Sequence, residues 1–104
     1  MSPGEIRVFI HHGTERDEDA VLAQRVAQHL RSQGFTVADI RPVDFSIGTP
    51  SVRYFFEDDR SASERLVEEL GRQTTSPPPD HASDFTHFVP KPRPGNVEVW
   101  LPPS

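Results

Sequence analysis

Two adjacent histidines, His11 and His12, are the residues whose type and position most directly suggest acid–base or metal chemistry. They end a short apolar run that predicts a β-strand, and adjacent residues of a strand point to opposite faces of its sheet. The two imidazoles therefore cannot easily hold one ion together, and a structural metal site needs about four donors. We expect neither a metal site nor a catalytic pair at this position.

A second group of potential ligands lies near the C-terminal end, in a stretch rich in proline. Its members are Asp80, His81, Asp84 and His87. Their spacing matches no metal-ligand motif, and the surrounding sequence lacks the periodicity of a helix or strand that would hold them in place. We interpret them as solvated side chains, and we predict no metal and no other cofactor.

Nucleophilic catalysis and phosphate binding have no support in the sequence. The chain contains no Cys, which excludes Cys nucleophiles, thiolate metal sites and disulfides. It has no Gly-x-Ser-x-Gly elbow. The loop after His12 carries several carboxylates, whereas a phosphate cradle needs free backbone N–H groups and usually a Lys. Because the titratable residues form no convergent set, we predict that the domain is not an enzyme.

The clearest binding chemistry comes from aromatic and polar residues that strand alternation puts on one sheet face. The residues that we predict to bind a ligand are Phe9, His11, Arg53, Phe55 and Trp100. Aromatic rings with polar neighbours on an open sheet can stack on sugars or bases, and Arg can bind a carboxylate in bidentate fashion. Glu98 lies on the same face.

An alternative interpretation of this face is structural. Monomeric proteins rarely leave aromatic patches bare, and a long loop with its own aromatic residues precedes the last strand. In this alternative Phe85, Phe88 and Pro90 cover the rings of the sheet face. The face would then be a second small core, and binding would occur elsewhere.

Apolar periodicity predicts the elements that position this face. We expect strands over residues 6–10, 35–40, 51–56 and 96–101, a helix from the acidic stretch 15–19 to about Gln33, and a helix that starts at the capping box Ser61–Glu64. Gly34 suits the end of the first helix, with Phe35 packed back on its last turn. The helical spacing predicts core positions at Leu22, Val26, Leu30, Leu66 and Leu70.

This β-α-β-β-α-β order is the split βαβ pattern of ferredoxin-like folds. We therefore predict an α+β domain with a four-stranded antiparallel sheet and two helices on one face. The 104 residues suit a single domain. Its expected parts are a βαββα core over residues 6–73, a Pro-rich loop over 74–95 and a final strand over 96–101.

Composition limits the partners and the compartment. The formal net charge is −5 and the basic residues are scattered, so nucleic acid is not an expected partner. No apolar run is long enough to span a bilayer, and residues 1–5 lack the regions of a signal peptide. We expect a cytoplasmic protein from the sequence as written, or a periplasmic or envelope domain if it is part of a longer chain.

Three short motifs carry a resemblance to a known family. They are Gly34-Phe35-Thr36-Val37, Thr49-Pro50-Ser51-Val52-Arg53-Tyr54, and Glu57-Asp58-Asp59 before a helix. Over roughly residues 6–72 the chain resembles the C-terminal domain of LytR-type cell-envelope proteins, a sporulation-repeat-like α+β module. The stretch from Phe85 to Pro102 resembles the terminal strand that follows such domains in multidomain bacterial proteins.

The resemblance implies an envelope-associated binding module. Together with the residues of the open sheet face, it leads us to expect a noncatalytic domain of a bacterial envelope or multidomain protein that binds a cell-wall glycan or a protein on that face. The alternative function is assembly, in which an edge strand of the sheet pairs with another protein.

Overall fold

Two α-helices, one short 3₁₀ helix and five strands make up the regular structure of the described residues, which are 6–72, 79 and 81–103 of a computed structural model. The elements are β1 (Arg7–His12), α1 (Asp17–Ser32), β2 (Thr36–Pro42), β3 (Ser51–Tyr54), α2 (Arg60–Leu70), β4 (Ser83–Asp84) and β5 (Asn96–Leu101). Three predictions fall outside the described residues: the absence of a signal peptide at residues 1–5, the start of the Pro-rich loop at 74–78, and the side chain of Asp80.

The strands form one mixed sheet in the order β2-β1-β5-β3-β4. β1 lies parallel to both β2 and β5, β3 is antiparallel to β5, and β4 is parallel to β3. The α+β class is confirmed. The prediction of a four-stranded antiparallel, ferredoxin-like sheet is wrong, because the described sheet has five strands and three of its four pairings are parallel.

The error has a physical origin in the connections. A split βαβ unit leaves room for a strand between β1 and β2, but here α1 joins two strands that are direct neighbours, as in an ordinary parallel crossover. The loop over residues 43–50 then leads β3 away from β2 instead of closing a hairpin. β4 was missed because two residues inside a Pro-rich stretch give no alternation to detect.

Both helices pack on the same sheet face, as predicted, and bury one apolar core against it. The five expected core residues Leu22, Val26, Leu30, Leu66 and Leu70 are all buried. The strands contribute Val8, Ile10, Val37, Val52, Tyr54, Val97, Val99 and Leu101 to the same cluster, and Ile6, just before β1, joins them. β1, β5 and β3 all supply fully buried residues, among them Ile10, Val99 and Val52. β5 lies in the middle of the sheet, and its alternate residues Val97, Val99 and Leu101 face the core.

The end of α1 follows the predicted pattern. Gly34 has a φ of 91°, and the N–H of Phe35 donates to the carbonyl of Leu30 over 3.0 Å. This left-handed Gly and the backward hydrogen bond satisfy carbonyl groups at the helix end. Phe35 is buried, so the chain enters β2 with its ring already in the core.

The predicted capping box at the start of α2 is wrong. The short 3₁₀ helix Glu57–Asp59 supplies the first turn, and α2 begins at Arg60 without a side-chain cap. The buried Asp59 has a different role: its Oδ2 accepts a hydrogen bond from the N–H of Gly95 over 2.9 Å. The carbonyl of Gly95 in turn accepts from the N–H of Arg7 over 2.7 Å. Gly95 thereby joins the start of α2 to the starts of β1 and β5.

Truncation of Leu66, which is fully buried, should lower the free energy of unfolding by about 2–5 kcal/mol because it leaves a cavity under α2. Val26→Ala should cost less, since it removes fewer carbon atoms. Val21→Ala is the matched control: Val21 lies on the same helix with 55% of its surface exposed, and the change should stay within about 0.5 kcal/mol. Urea melts measure all three variants. Equal losses for Val26→Ala and Val21→Ala would contradict the assigned face of α1.

Candidate ligand-binding groove

The sheet face opposite the helices, called the outer face below, is built by alternate residues of β1, β5 and β3. The strand register sets two rows across it. His11, Trp100 and Ser51 occupy one row, and Phe9, Glu98 and Arg53 occupy the next. Phe55 follows the end of β3 on the same side. All five predicted site residues therefore share this face, as strand alternation requires.

Planar side chains stack across the outer face. The rings of His11 and Trp100 are nearly parallel, at 11°, with centroids 4.1 Å apart. On the other side of Trp100, the guanidinium carbon of Arg53 lies 4.6 Å from the indole centroid and 4.9 Å from that of Phe85. Such cation–π contacts hold a guanidinium in a defined orientation while its N–H groups stay available for hydrogen bonds.

The segment before β5 crosses part of this face. Phe85 and Phe88 pack edge-on against Phe55 at centroid distances of 5.8 and 6.0 Å, and they contact each other at 5.7 Å. Phe55 is only 3% exposed as a result. The structural alternative is therefore right for Phe55, whereas Trp100 and Arg53 remain partly exposed.

A groove of about 440 Å³ lies between this segment and β5. Its lining residues are Arg53, Phe55, Phe85, Phe88, Pro90, Lys91, Pro92, Glu98 and Trp100. A smaller depression of about 100 Å³ adjoins it, because Pro92 and Glu98 line both. The volume of the groove lies in the range of small-molecule sites, which are about 300–1,000 Å³ and mostly apolar with a few polar groups.

The predicted site residues divide among three positions. Arg53, Phe55 and Trp100 line the groove. Phe9 lines the smaller depression, where the guanidinium of Arg41 lies 4.6 Å from its ring centroid. His11 lines neither, because it is buried against Trp100. Ligand binding by these residues stays a prediction.

Sequence reasoning missed part of the groove wall. Lys91 and Pro92 line it beside the expected strand residues, and the two phenylalanines of the loop are wall as well as cover. The available signal was the close succession of Phe and Pro over residues 85–94, directly before a strand that carries Trp100. Aromatic and proline side chains at that spacing are typical of an extended segment that packs on a neighbouring surface.

The charges on the outer face are unequally neutralised. The Nε of Arg41 donates to Asp39 over 3.0 Å, and this hydrogen bond lowers the pKa of Asp39. Glu98 accepts a hydrogen bond from Nε1 of Trp100 over 3.0 Å. Among the described residues, neither Arg53 nor Lys91 has an ion pair or a hydrogen-bond acceptor for its charged group. The groove is thus locally cationic although the chain carries a net charge of −5.

His11 is set apart by burial. Desolvation lowers its pKa, and the nearby cations Arg41 and Arg53 act in the same direction, against the opposite influence of Glu98 and Asp39. Its Nε2 atom has no hydrogen-bond partner within the described part of the chain. A neutral imidazole stacked on an indole stabilises the position of Trp100, so His11 orients the groove instead of lining it.

Metal chemistry finds no geometric support. Within residues 6–72, 79 and 81–103, no three His, Asp or Glu side chains are grouped so as to hold an ion. His11 and His12 point to opposite sides of β1, and the Nδ1 of His12 lies 2.7 Å from the carbonyl oxygen of Gly13.

Neither of the two α-helices in the described structure combines the length and apolar content of a membrane-crossing segment.

Comparison with known proteins identifies a family. A protein-family model described as the LytR cell envelope-related transcriptional attenuator matches residues 5–101, which is nearly the whole chain. No curated protein matches significantly. No solved structure matches significantly either.

The stability of the domain should fall as the pH drops below about 6.5, the ordinary pKa of His. The pKa of His11 is lower in the folded protein, so the unfolded chain binds more protons as the pH falls. The contribution is complete above the unfolded pKa and is lost on acidification. His11→Phe keeps an aromatic ring beside Trp100 and should remove this share of the pH dependence. Urea melts at several pH values measure it, and identical slopes in both proteins would contradict the assignment.

The loop phenylalanines should differ in their cost. Phe85→Ala exposes Phe55 and removes one of the two rings beside Arg53, so we expect a loss of about 1–3 kcal/mol, below the value for a fully buried Phe. Phe88→Ala should lower the free energy of unfolding by less, because Phe88 is already 48% exposed. Denaturant melts compare the two variants. A larger loss for Phe88→Ala would show that the cover over Phe55 is arranged differently.

Proposed function

The chain belongs to the family of the LytR cell envelope-related transcriptional attenuator, and on that premise we propose that it is a noncatalytic domain of the cell envelope that binds glycan in the groove of its outer face. The observation that carries the proposal is the groove wall, in which the rings of Phe85, Phe88 and Trp100 surround Arg53. The family supports the envelope context, and the groove supports the binding chemistry.

Sugar rings suit such a wall because they are amphipathic. Their C–H faces pack on aromatic rings, whose faces carry negative charge, and their hydroxyls need donors and acceptors at the rim. Glu98 supplies acceptor oxygens between the two depressions, and Arg53 and Lys91 supply donors. The depressions adjoin, which favours a ligand of more than one sugar unit.

A binding function is better supported than hydrolysis of the same ligand. Glycosidases use two carboxyl groups about 5–9.5 Å apart on either side of the bond they cleave. Among the described residues, Glu98 is the one carboxylate that lines either depression, and it is engaged by Trp100. The described lining of the groove therefore has binding groups but not a pair of catalytic acids.

Assembly through an edge strand is the second candidate, and one observation favours it: β2, with seven residues, lies at the edge of the sheet. The same strand also carries a protecting device. Oδ1 of Asp39 accepts a hydrogen bond from the N–H of Ile40 over 2.9 Å, and Pro42 ends the strand. Charged side chains and Pro are typical means of blocking edge pairing. The groove is therefore the better-supported interaction surface.

Cosedimentation with purified, protein-free cell-wall glycan tests the proposal. The domain should pellet with the glycan, and Phe88→Ala should weaken pelleting because it removes a half-exposed groove wall. Val21→Ala is the control: Val21 is also exposed, at 55%, but it lies on α1, on the other side of the sheet from the groove.

Two outcomes would contradict the proposal. One is a domain that stays in the supernatant at all glycan concentrations, and the other is Phe88→Ala pelleting as well as the original chain and Val21→Ala do. Light scattering of the free domain addresses edge assembly, because pairing through β2 would raise the mass with concentration.

A further inference from the structure

We infer that the groove selects a ligand with an anionic group, a carboxylate or a phosphate, and that Arg53 binds this group. The inference rests on the proposed glycan-binding function and specifies the chemical class of the glycan. It depends on three features of Arg53: the way its guanidinium is held, the lack of an acceptor for it among the described residues, and the charge of Lys91 beside it.

Within the described part of the chain, the guanidinium of Arg53 is held by aromatic rings and not by an anion. Phe85 and Trp100 contact it at 4.9 and 4.6 Å from their centroids, and both rings line the groove. A long side chain usually loses rotamer freedom when it binds a ligand. Here part of that cost is already met by stacking, so Arg53 is preorganised to present its planar fork of N–H donors.

The protein itself offers this fork no acceptor among the described residues. Glu98 is the direct cross-strand neighbour of Arg53 in the β3–β5 pairing, yet its carboxylate binds Nε1 of Trp100 over 3.0 Å and forms no ion pair with Arg53. The other arginines of the outer face are engaged: Arg41 with Asp39, and Arg7 with Asn96 and the carbonyl of Pro94.

A partly buried charge without a partner is costly, because the protein surroundings solvate it less well than water does. Arg53 is half-buried, and its side chain lies between two apolar rings. A ligand anion in the groove would offset that cost and would form a bidentate, charge-assisted pair. A neutral sugar would give weaker hydrogen bonds and leave the charge unpaired.

Lys91 strengthens the selection for an anion. It lines the same groove, its ammonium lies 5.0 Å from the ring centroid of Phe56, and no described carboxylate pairs with it. Among the described residues, two cations and one carboxylate, Glu98, therefore line the groove, so positive charge is in excess there. Because a guanidinium fork matches carboxylate and phosphate equally well, uronic-acid sugars and phosphate-bearing sugars are both suitable sources of the anion.

Titration of the full chain with three defined oligosaccharides tests the inference, with calorimetry and the NMR signal of the Arg53 side chain as readouts. The probes are tetragalacturonic acid, a phosphorylated maltotetraose and unmodified maltotetraose. We expect at least one acidic probe to bind about tenfold or more tightly than the neutral probe, with affinity that falls as salt is added. The ratio between the two acidic probes distinguishes the carboxylate source from the phosphate source.

Two variants assign the effect to Arg53. Arg53→Met keeps an unbranched apolar side chain between the rings and should lose at least about tenfold in affinity for the acidic probe. Arg53→Lys keeps the charge but not the fork and should also lose affinity. Arg93→Gln is the matched control, since Arg93 lies in the same segment and lines neither depression. Near-ultraviolet circular dichroism of Trp100 verifies that each variant is folded.

The outcomes separate this inference from the proposed function. Equal binding of neutral and acidic probes would overturn the inference and leave glycan binding intact. Selective binding of acidic probes that persists in Arg53→Met, or that is lost equally in Arg93→Gln, would overturn the role of Arg53. Failure of all three probes to bind at about 10 mM, together with failure to pellet with cell-wall glycan, would overturn both.

Discussion

Hydrogen bonds on both sides of β5 are the constraint on which the rest of the structure depends. β5 follows the other described strands in sequence but lies between β1 and β3, so the sheet cannot close until β5 is in place. Its core side buries Val97 and Val99, and its outer side presents Glu98 and Trp100. The bonds that Gly95 makes to Asp59 and to the N–H of Arg7 fix where β5 begins. One strand thus supplies both the centre of the core and the floor of the groove.

The same topology explains why the groove has a wall. β4 ends opposite Tyr54, and β5 begins close to the same residue, on the other side of β3. The segment over 85–95 must therefore pass across the end of β3. The helices occupy one face of the sheet, so the outer face is the open route, and Phe85 and Phe88 meet Phe55 there. The segment covers Phe55 but leaves Trp100 partly exposed. The groove lies between the segment and Trp100.

Local periodicity determined what could be predicted from the sequence. Spacing of Leu22, Val26 and Leu30 indicates which side of a helix is buried, and alternation in 96–101 indicates which side of a strand is buried. Those inferences needed only near neighbours in sequence, and they placed the core and the outer face correctly. Strand order depends on which strands pair in space. The alternation of buried and exposed residues within each strand is the same for the predicted ferredoxin-like order and for the observed one. The sequence pattern therefore could not show that β5 enters between β1 and β3.

For the candidate site, the sequence likewise predicted which sheet face each residue occupies but not which residues contact one another. Arg53 and Trp100 could be assigned to one face from alternation alone, whereas the stacking of Arg53 between Trp100 and Phe85 required the strand order and the path of the loop. Burial of His11 against Trp100 likewise depends on β1 and β5 being neighbours. A residue on a face is a sequence-level property, but a residue in a groove is a property of the assembled sheet.

The net charge of the chain is negative, whereas the groove carries an excess of positive charge. The distance of the acidic residues from the groove explains the difference. The acidic residues at the start of α1 and before α2 lie in the helical layer, on the side of the sheet away from the groove. They favour those helix starts through the helix dipole. Exposed charges are screened over about 8–10 Å at ordinary ionic strength, so a ligand in the groove experiences chiefly the two cations Arg53 and Lys91 and the one carboxylate Glu98 that line it. An acidic protein can therefore present a cationic site, and the sheet between the two layers keeps the opposing charges apart.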